Sequence, residues 1–256
     1  MVKTRKVFDL MGKPVEKVKL PKIFDTPLRP DVIKRAVLTI QSHRFQPQGR
    51  NPLAGKRTTA ESRGVGLGIS RIPRKKGPGG RAALAPGTVG GRSAHPPVSG
   101  KKISKISKKE MRLAVSSAIA ATSSKRMVDA RGHSVEDVPQ FPMIVLDGFE
   151  KLTKTREVEE TLINLGMLSD IYRVKESKKI RAGKGKLRGR KAKHAVGPLI
   201  VISENRGIVK AASNILGVSV VTVNNLNSEI LAPGSHPGRL TIWTRGAIQK
   251  LDEIYG

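Results

Sequence analysis

The sequence predicts an α/β fold: a single globular domain with a mainly parallel sheet and flanking helices, plus a long extended internal loop. Four short apolar runs of strand length occur after residue 140, and polar or helical stretches separate them, as in parallel sheets with crossover helices. Residues 44–102 are rich in Gly, Pro, Lys and Arg and divide the first two long helical patterns. Such a stretch cannot bury enough apolar surface to form a core, so it is predicted to be an inserted loop.

The elements before the loop follow from turn and helix signals. Two extended runs, TRKVFDL and PVEKVKL, flank a turn at residues 12–14. A helix is predicted from Pro30, because proline suits the first helical turn. Its apolar residues recur at helical spacing, namely Val32, Ile33, Ala36, Val37 and Ile40.

After the loop, Ser107 and Glu110 have the spacing of a capping box and predict a helix that runs to about Ser123. The buried face of this helix is expected to carry Met111, Ala114, Val115, Ala118 and Ile119. The four predicted strands cover residues 143–147, 199–203, 218–223 and 240–243. Thr244 is expected to cap a last helix, whose apolar face carries Ala247, Ile248, Leu251, Ile254 and Tyr255.

Charge is concentrated in two segments. The chain has 49 Lys and Arg against 20 Asp and Glu, a net charge of +29 and an isoelectric point near 11.0. Residues 44–102 contain 13 basic residues and one acid, and residues 178–194 contain nine basic residues and no acid. Ordinary solvated surfaces mix both signs, so this pattern indicates a polyanionic partner. The globular domain is expected to consist of residues 1–43 and 103–256.

Composition excludes several other classes of protein. The chain has no cysteine, which excludes disulfides, thiol catalysis and zinc ribbons. No apolar run reaches membrane-spanning length, and the first residues lack the apolar core of a signal peptide, so a cytoplasmic location without membrane contact is expected. The five histidines are scattered, and no metal site is predicted.

An enzymatic function has weak support. Three glycine-rich stretches, PQGRNPLAGKRT, RGVGLGIS and AGKGKLRGR, depart from the spacing or context of nucleotide-binding motifs, so no cofactor is predicted. Asp147 ends a predicted strand, Glu150 follows it, and His133 could act as a base. A strand-ending Asp before Gly is more often a turn residue or cap. We therefore predict neither enzymatic activity nor a small-molecule substrate, and a small-molecule α/β enzyme stays a less favoured alternative.

The expected partner is RNA, bound through its phosphates. Glycine and proline at this density exclude the amphipathic helix that membrane binding prefers. No aromatic residue occurs between Gln46 and Gln140, or between Arg173 and Ile242, so the basic segments cannot build base-stacking platforms. Phosphate contacts to a shaped RNA remain, with the basic segments ordered by that partner. A non-ribosomal RNA-binding or chaperone protein is an alternative with the same composition.

Several long blocks resemble one family. HRFQPQGRNPLAGKRTTAESRG, ARGHSVEDVPQFP, KIRAGKGKLRGRK and LAPGSHPGRLTIWTRGAI are similar to the universal large-subunit ribosomal protein four family in its archaeal and eukaryotic form, over essentially the whole chain. The chain lacks the long C-terminal extension of eukaryotic members, so an archaeal type is expected. The resemblance implies a structural, rRNA-binding constituent of the large ribosomal subunit that supports subunit assembly.

The resemblance also implies a role for each basic segment. Residues 44–102 would be the loop that passes through rRNA and helps line the nascent-peptide exit tunnel beside ribosomal protein L-twenty-two. The tunnel-facing tip is expected at Gly64, Gly66, Gly68, Arg71 and Arg74. Expected phosphate contacts in the loop are Arg44, Arg50, Lys56, Arg57, Arg63, Arg71, Arg74, Lys75, Lys76, Arg81 and Arg92. In the second segment, 178–194, they are Lys178, Lys179, Arg181, Lys184, Lys186, Arg188, Arg190, Lys191 and Lys193.

Overall fold

The computed structural model describes residues 4–98, 100 and 103–255. The chain divides into two compact units. One, here called the body, comprises Met1–Gln41 and Lys105–Gly256, and the other, the loop unit, is Ser42–Ser104. The loop predicted over 44–102 lies within the loop unit, although its residues 99, 101 and 102 fall outside the described residues, as do 1–3 and 256.

A six-stranded sheet forms the centre of the body. In chain order its strands are β1 (Thr4–Phe8), β2 (Pro14–Lys19), β3 (Met143–Val145), β6 (Leu199–Ile202), β7 (Ser219–Thr222) and β8 (Thr241–Thr244). A separate hairpin contains β4 (Lys179–Ile180) and β5 (Ala192–Lys193). The order in the sheet is β2-β1-β3-β8-β6-β7, and every neighbouring pair is parallel except β1 with β2. The predicted mainly parallel sheet is confirmed, with all four apolar runs as strands.

Eight helices complete the secondary structure of the described residues. They are α1 (Pro30–Arg44), α2 (Lys108–Thr122), α3 (Lys125–Ala130), α4 (Thr155–Asn164), α5 (Leu168–Glu176), α6 (Ile208–Ala212), α7 (Ser228–Leu231) and α8 (Arg245–Tyr255). Short 3-10 turns lie at Lys22–Asp25, Asp147–Lys151, Lys184–Arg188, Val223–Asn225 and Pro233–Ser235. None of the helices in the described part of the chain is both long and apolar enough to cross a membrane.

The predicted helix caps are present. The Ser107 hydroxyl accepts from the backbone N–H of Glu110 at 3.2 Å, and the Glu110 carboxyl accepts from the Ser107 N–H at 3.4 Å. At the start of α8 the Thr244 hydroxyl accepts from the N–H of Ala247 at 3.3 Å. Both caps satisfy donors that a helix N-terminus leaves unpaired, which explains why these helices begin where the sequence indicates.

Two apolar clusters cover the two faces of the sheet. Alternate strand residues point to opposite faces, so Met143 and Val145 join one cluster and Ile144 joins the other. Helices α4, α5 and α6 pack on the first face, and α1, α2, α7 and α8 pack on the second. Trp243 is fully buried on the second face, edge-on to Phe24 with ring centroids 5.7 Å apart. The body is therefore a three-layer α/β/α arrangement, whose parallel strands share one amino edge and one carboxyl edge.

Candidate nucleic-acid interface

The second basic segment folds into a short hairpin. Lys179 pairs with Lys193 and Ile180 with Ala192, and the N–H of Arg181 donates to the carbonyl of Lys191 at 2.8 Å. The turn between the strands is 3-10, with glycines in left-handed or related conformations on either side of it. The sequence predicted a basic, phosphate-binding segment here without assigning it any secondary structure, and the backbone pairing is an addition that the structure supplies.

The hairpin, defined here as residues 178–194, presents unneutralised positive charge. Eight of its nine Lys and Arg side chains are exposed, and the ninth, Arg181, is half-buried and donates to the carbonyl of Arg190 at 3.1 Å. No carboxylate of the described residues forms an ion pair with any of the nine. Like charges held this close repel one another, so the arrangement suits an anionic partner that neutralises them.

The hairpin is anchored to the body at both ends. The N–H of Ala195 donates to the Ser177 hydroxyl at 2.8 Å, which joins the two stems. Arg173 on α5 donates to the carbonyl of Val196 at 2.8 Å and to the carboxylate of Asp170 at 2.9 Å. The base of the hairpin is therefore held in a fixed position, while its charged tip extends into solvent.

The loop unit contains backbone pairing of its own. Arg74 forms bridges with Glu61 and with Ala82, so three passes of the chain lie side by side. A Cβ on Gly80 would lie 2.3 Å from the carbonyl oxygen of Lys75, closer than real contacts allow. Glycine is required there for the approach of backbone to backbone, in addition to any approach to phosphate.

Most of the predicted phosphate-binding cations of the loop unit are exposed, and two are half-buried. Arg74 and Arg92 are half-buried, and the Arg74 guanidinium donates to the carbonyl of Gly80 at 3.4 Å. Lys76 is exposed and pairs with Glu61 at 3.3 Å, an interaction that water and salt weaken. The other predicted phosphate contacts of the loop are all exposed, namely Arg44, Arg50, Lys56, Arg57, Arg63, Arg71, Lys75 and Arg81.

Residues 63–70 form a short excursion of the loop unit, here called the tip. The Ser62 hydroxyl donates to the carbonyl of Arg71 at 2.8 Å and closes residues 63–70. Its glycines at positions 64, 66 and 68 have φ angles of 76°, 88° and 66°, and no atom lies within 4 Å of an added Cβ. The apolar residues between them are exposed, 78% for Val65 and 59% for Leu67. Four of the five predicted tip residues therefore lie within or next to this excursion. The fifth, Arg74, lies outside it, in the backbone bridges with Glu61 and Ala82.

The carboxylates considered for catalysis serve the fold instead. Both carboxyl oxygens of the fully buried Glu150 accept hydrogen bonds, from the N–H and hydroxyl of Ser203 and from the hydroxyl of Thr244. Asp147 accepts from the N–H of Gly246 at 2.7 Å. These bonds connect the carboxyl ends of β3, β6 and β8.

His133 belongs to a different cluster from Asp147 and Glu150. Its Nδ1 lies 3.1 Å from the carboxylate of Asp170 and 3.3 Å from the guanidinium of Arg173. Burial lowers the pKa of His133 below its usual value, although Asp170 acts in the opposite direction. Burial by itself would raise the pKa of Asp170, but its hydrogen bonds with His133 and Arg173 lower it. The three residues form a buried structural network.

Arg239 is a structural residue that sequence reasoning missed. It is 4% exposed and donates to the carbonyls of Gly197 and Ile230 at 2.9 and 3.0 Å and to the hydroxyl of Ser219 at 2.9 Å. Burial lowers the pKa of Arg239 to about 10. Nothing in the local sequence marks this arginine as buried, because its acceptors belong to several other segments of the chain.

The fold and the interface together define a basic α/β protein that presents cations on a hairpin and an inserted loop, as RNA-binding proteins do. The model of the ribosomal protein L4/L1 family matches residues 18–254. "Large ribosomal subunit protein uL4" of Methanosphaera stadtmanae is 50% identical over 250 residues, which are 97% of this chain and 96% of that protein. The protein of the same name from Saccharolobus islandicus is 50% identical over 249 residues, 96% of this chain and 93% of the relative.

The chain therefore belongs to the ribosomal protein L4/L1 family. This family consists of structural, non-enzymatic constituents of the large subunit of the cytoplasmic ribosome, where rRNA is the partner. Both relatives come from archaea, in agreement with the archaeal type expected from the sequence. Family membership also decides against the enzyme considered as an alternative.

Proposed function

We propose that the hairpin and the loop unit bind large-subunit rRNA through phosphate contacts and so support assembly of the subunit. The observation that carries the proposal is the set of nine hairpin cations, of which eight are exposed and none is paired with a carboxylate of the described residues. Each cation that contacts a phosphate releases a condensed counterion, and this release favours binding at moderate salt. The exposed cations of the loop unit act in the same way.

The tip of the loop unit, residues 63–70, is proposed to line the nascent-peptide exit tunnel beside ribosomal protein L-twenty-two. The bond from the Ser62 hydroxyl to the Arg71 carbonyl closes this excursion, and no atom packs against its three glycines. Its exposed Val65, Leu67 and Ile69 carry no charge, so they suit a passage wall better than a phosphate contact. The family resemblance supports this position.

The salt dependence of rRNA binding tests the phosphate contacts. Replacing Lys184, Lys186 and Arg188 by glutamine removes three exposed charges from the hairpin turn. The slope of log K against log salt should become shallower by about 2 to 3, because each lost contact contributes about 0.7 to 0.9. A matched variant of the body, with Lys13, Lys17 and Lys22 replaced by glutamine, should keep the slope. An equal change in both variants, or no change in the first, contradicts the proposal.

The tunnel position has its own test, because the chain contains no cysteine. Leu67→Cys places a single thiol on the tip, and Lys154→Cys places one on the exposed surface of the body. In assembled ribosomes, a nascent chain that carries a thiol-reactive group should cross-link to position 67 at a defined chain length and not to position 154. Cross-linking at both positions or at neither contradicts the assignment of the tip.

A further inference from the structure

The amino edge of the parallel sheet carries an excess of positive charge. Arg173 and His133 contact the carboxylate of Asp170 there, and the charge of Arg131 acts on both His133 and Arg239. Arg173 bonds to Asp170 directly, whereas Arg131 and Arg239 donate to backbone carbonyls. Like charges packed around one acid create a positive potential at this edge. The carboxyl edge, in contrast, contains the acids that tie its strands together.

The lowered pKa values of two of these arginines are consistent with the excess of positive charge. Burial, together with the neighbouring charge of Arg173, lowers the pKa of Arg131. Burial lowers the pKa of Arg239 as well, and the charge of Arg131 acts in the same direction. A nearby anion would relieve the repulsion between these groups.

A groove opens at this edge beside Arg131. It has a volume of about 450 Å³ and lies between α3 and the turn at residues 233–238. Its walls are formed by Met127, Ala130, Arg131, His236 and Pro237, none of them acidic. Arg131 donates to the carbonyls of Pro233 and His236, which fixes its guanidinium at the wall of the groove. Asp129, the acid of α3, is not among the lining residues.

The turn that forms the other wall is held in an unusual conformation. Gly234 and the non-glycine residue Ser235 both have left-handed backbone, with φ angles of 73° and 70°. Gly238, at φ 95°, is packed so closely on α3 that an added Cβ would lie 2.4 Å from the carbonyl of Met127. Strained backbone of this kind persists where the surrounding structure fixes it, often at binding sites.

We propose that this groove is a third RNA-binding site, which holds a phosphodiester against Arg131 with the adjoining nucleotide against His236, Pro237 and Met127. An arginine matches the geometry of phosphate, and an imidazole provides a surface on which a base or ribose can pack. The proposal rests on the proposed function, because it assigns to rRNA a further contact outside the two basic segments.

Arg173 connects the surroundings of the groove with the base of the hairpin. Its charge acts on Arg131 in the wall of the groove, and it donates to the carbonyl of Val196, two residues after the hairpin. The proposed strand of RNA runs from the hairpin along the amino edge to the groove. The net positive charge along this path favours a polyanion over a small isolated anion.

Tethered hydroxyl-radical cleavage tests this proposal in the assembled subunit. Single cysteines at three exposed positions each carry an iron chelate: Ala130→Cys in the groove, Leu187→Cys on the hairpin and Lys151→Cys near the carboxyl edge. The probe at position 130 should cleave rRNA at a site distinct from any cleavage directed from position 151. Cleavage from 187 but not from 130 overturns the groove site alone, and no cleavage from either overturns the proposed function. Identical cleavage from 130 and 151 also overturns the groove site.

A second measurement uses Arg131→Gln, with the exposed Lys151→Gln as the matched control. Loss of one phosphate contact should reduce the slope of log K against log salt by about 0.7 to 0.9 in the first variant only. An unchanged slope in Arg131→Gln, in protein that unfolds at the same urea concentration as the wild type, overturns the groove site.

Discussion

Glu150 connects the carboxyl ends of three strands, and its removal should be among the most costly single changes in the body. The side chain is fully buried and accepts bonds of 2.7 and 3.0 Å from Ser203 and 2.7 Å from the hydroxyl of Thr244. Glu150→Ala removes both acceptor oxygens and all three hydrogen bonds, and it leaves the Ser203 N–H without its partner. Hydrogen bonds to charged groups contribute about 1.5–3 kcal/mol each, and bonds that share one acceptor are not additive.

The free energy of unfolding of Glu150→Ala should therefore fall by about 3–5 kcal/mol, a large part of the roughly 5–15 kcal/mol that stabilises a typical domain. Urea unfolding of the full chain measures it through the fluorescence of Trp243, the only tryptophan, which is fully buried next to Thr244. Asp147→Asn is the control, because an amide oxygen can still accept from Gly246. Its cost should stay below about 1 kcal/mol. A loss below about 1 kcal/mol in Glu150→Ala, or equal losses in both variants, refutes the structural role.

Two further predictions concern the caps and the pH dependence of the body. Ser107→Ala removes one side of the capping box and should cost about 1 kcal/mol in urea unfolding, whereas Ser107→Asp should retain most of the stability; equal losses contradict the capping role. Burial lowers the pKa of His133 in the folded protein, so below about pH 6.5 the unfolded chain binds a proton more readily than the folded protein does. The free energy of unfolding should therefore decrease as the pH is lowered from 7 to 5. Asp170, whose folded pKa is also lowered, adds a further loss below about pH 4. Parallel curves of the free energy of unfolding against pH for the wild type and His133→Asn between pH 7 and 5 would contradict the prediction for His133.

The sequence predicted the elements whose signals are local. The capping box at Ser107 and Glu110 marked the start of α2, and four apolar runs marked the parallel strands, because burial on both faces requires continuous apolar sequence. Charge segregation marked the two basic segments in the same way. The assignment of individual phosphate contacts and of the tunnel-facing tip stays a prediction.

Local sequence signals could not predict the role of residues whose partners are distant in the chain. Glu150 and His133 are residue types that often occur in catalytic sites. Only the fold shows that they lie in separate networks that stabilise the structure. Arg74 counted as one more phosphate contact, yet it is half-buried and braces the loop unit against Gly80.

The sequence by itself determined the layered α/β body, the location of the charge and the family of this protein. The body and the location of the charge follow from composition and periodicity, which act over a few residues, and the family follows from the resemblance of several long blocks. Only the tertiary structure decided that the hairpin has its own pairing and that Arg131, Arg173 and Arg239 lie close together at one edge of the sheet. Their positions in the chain are up to about a hundred residues apart, and the parallel crossovers alone bring them together.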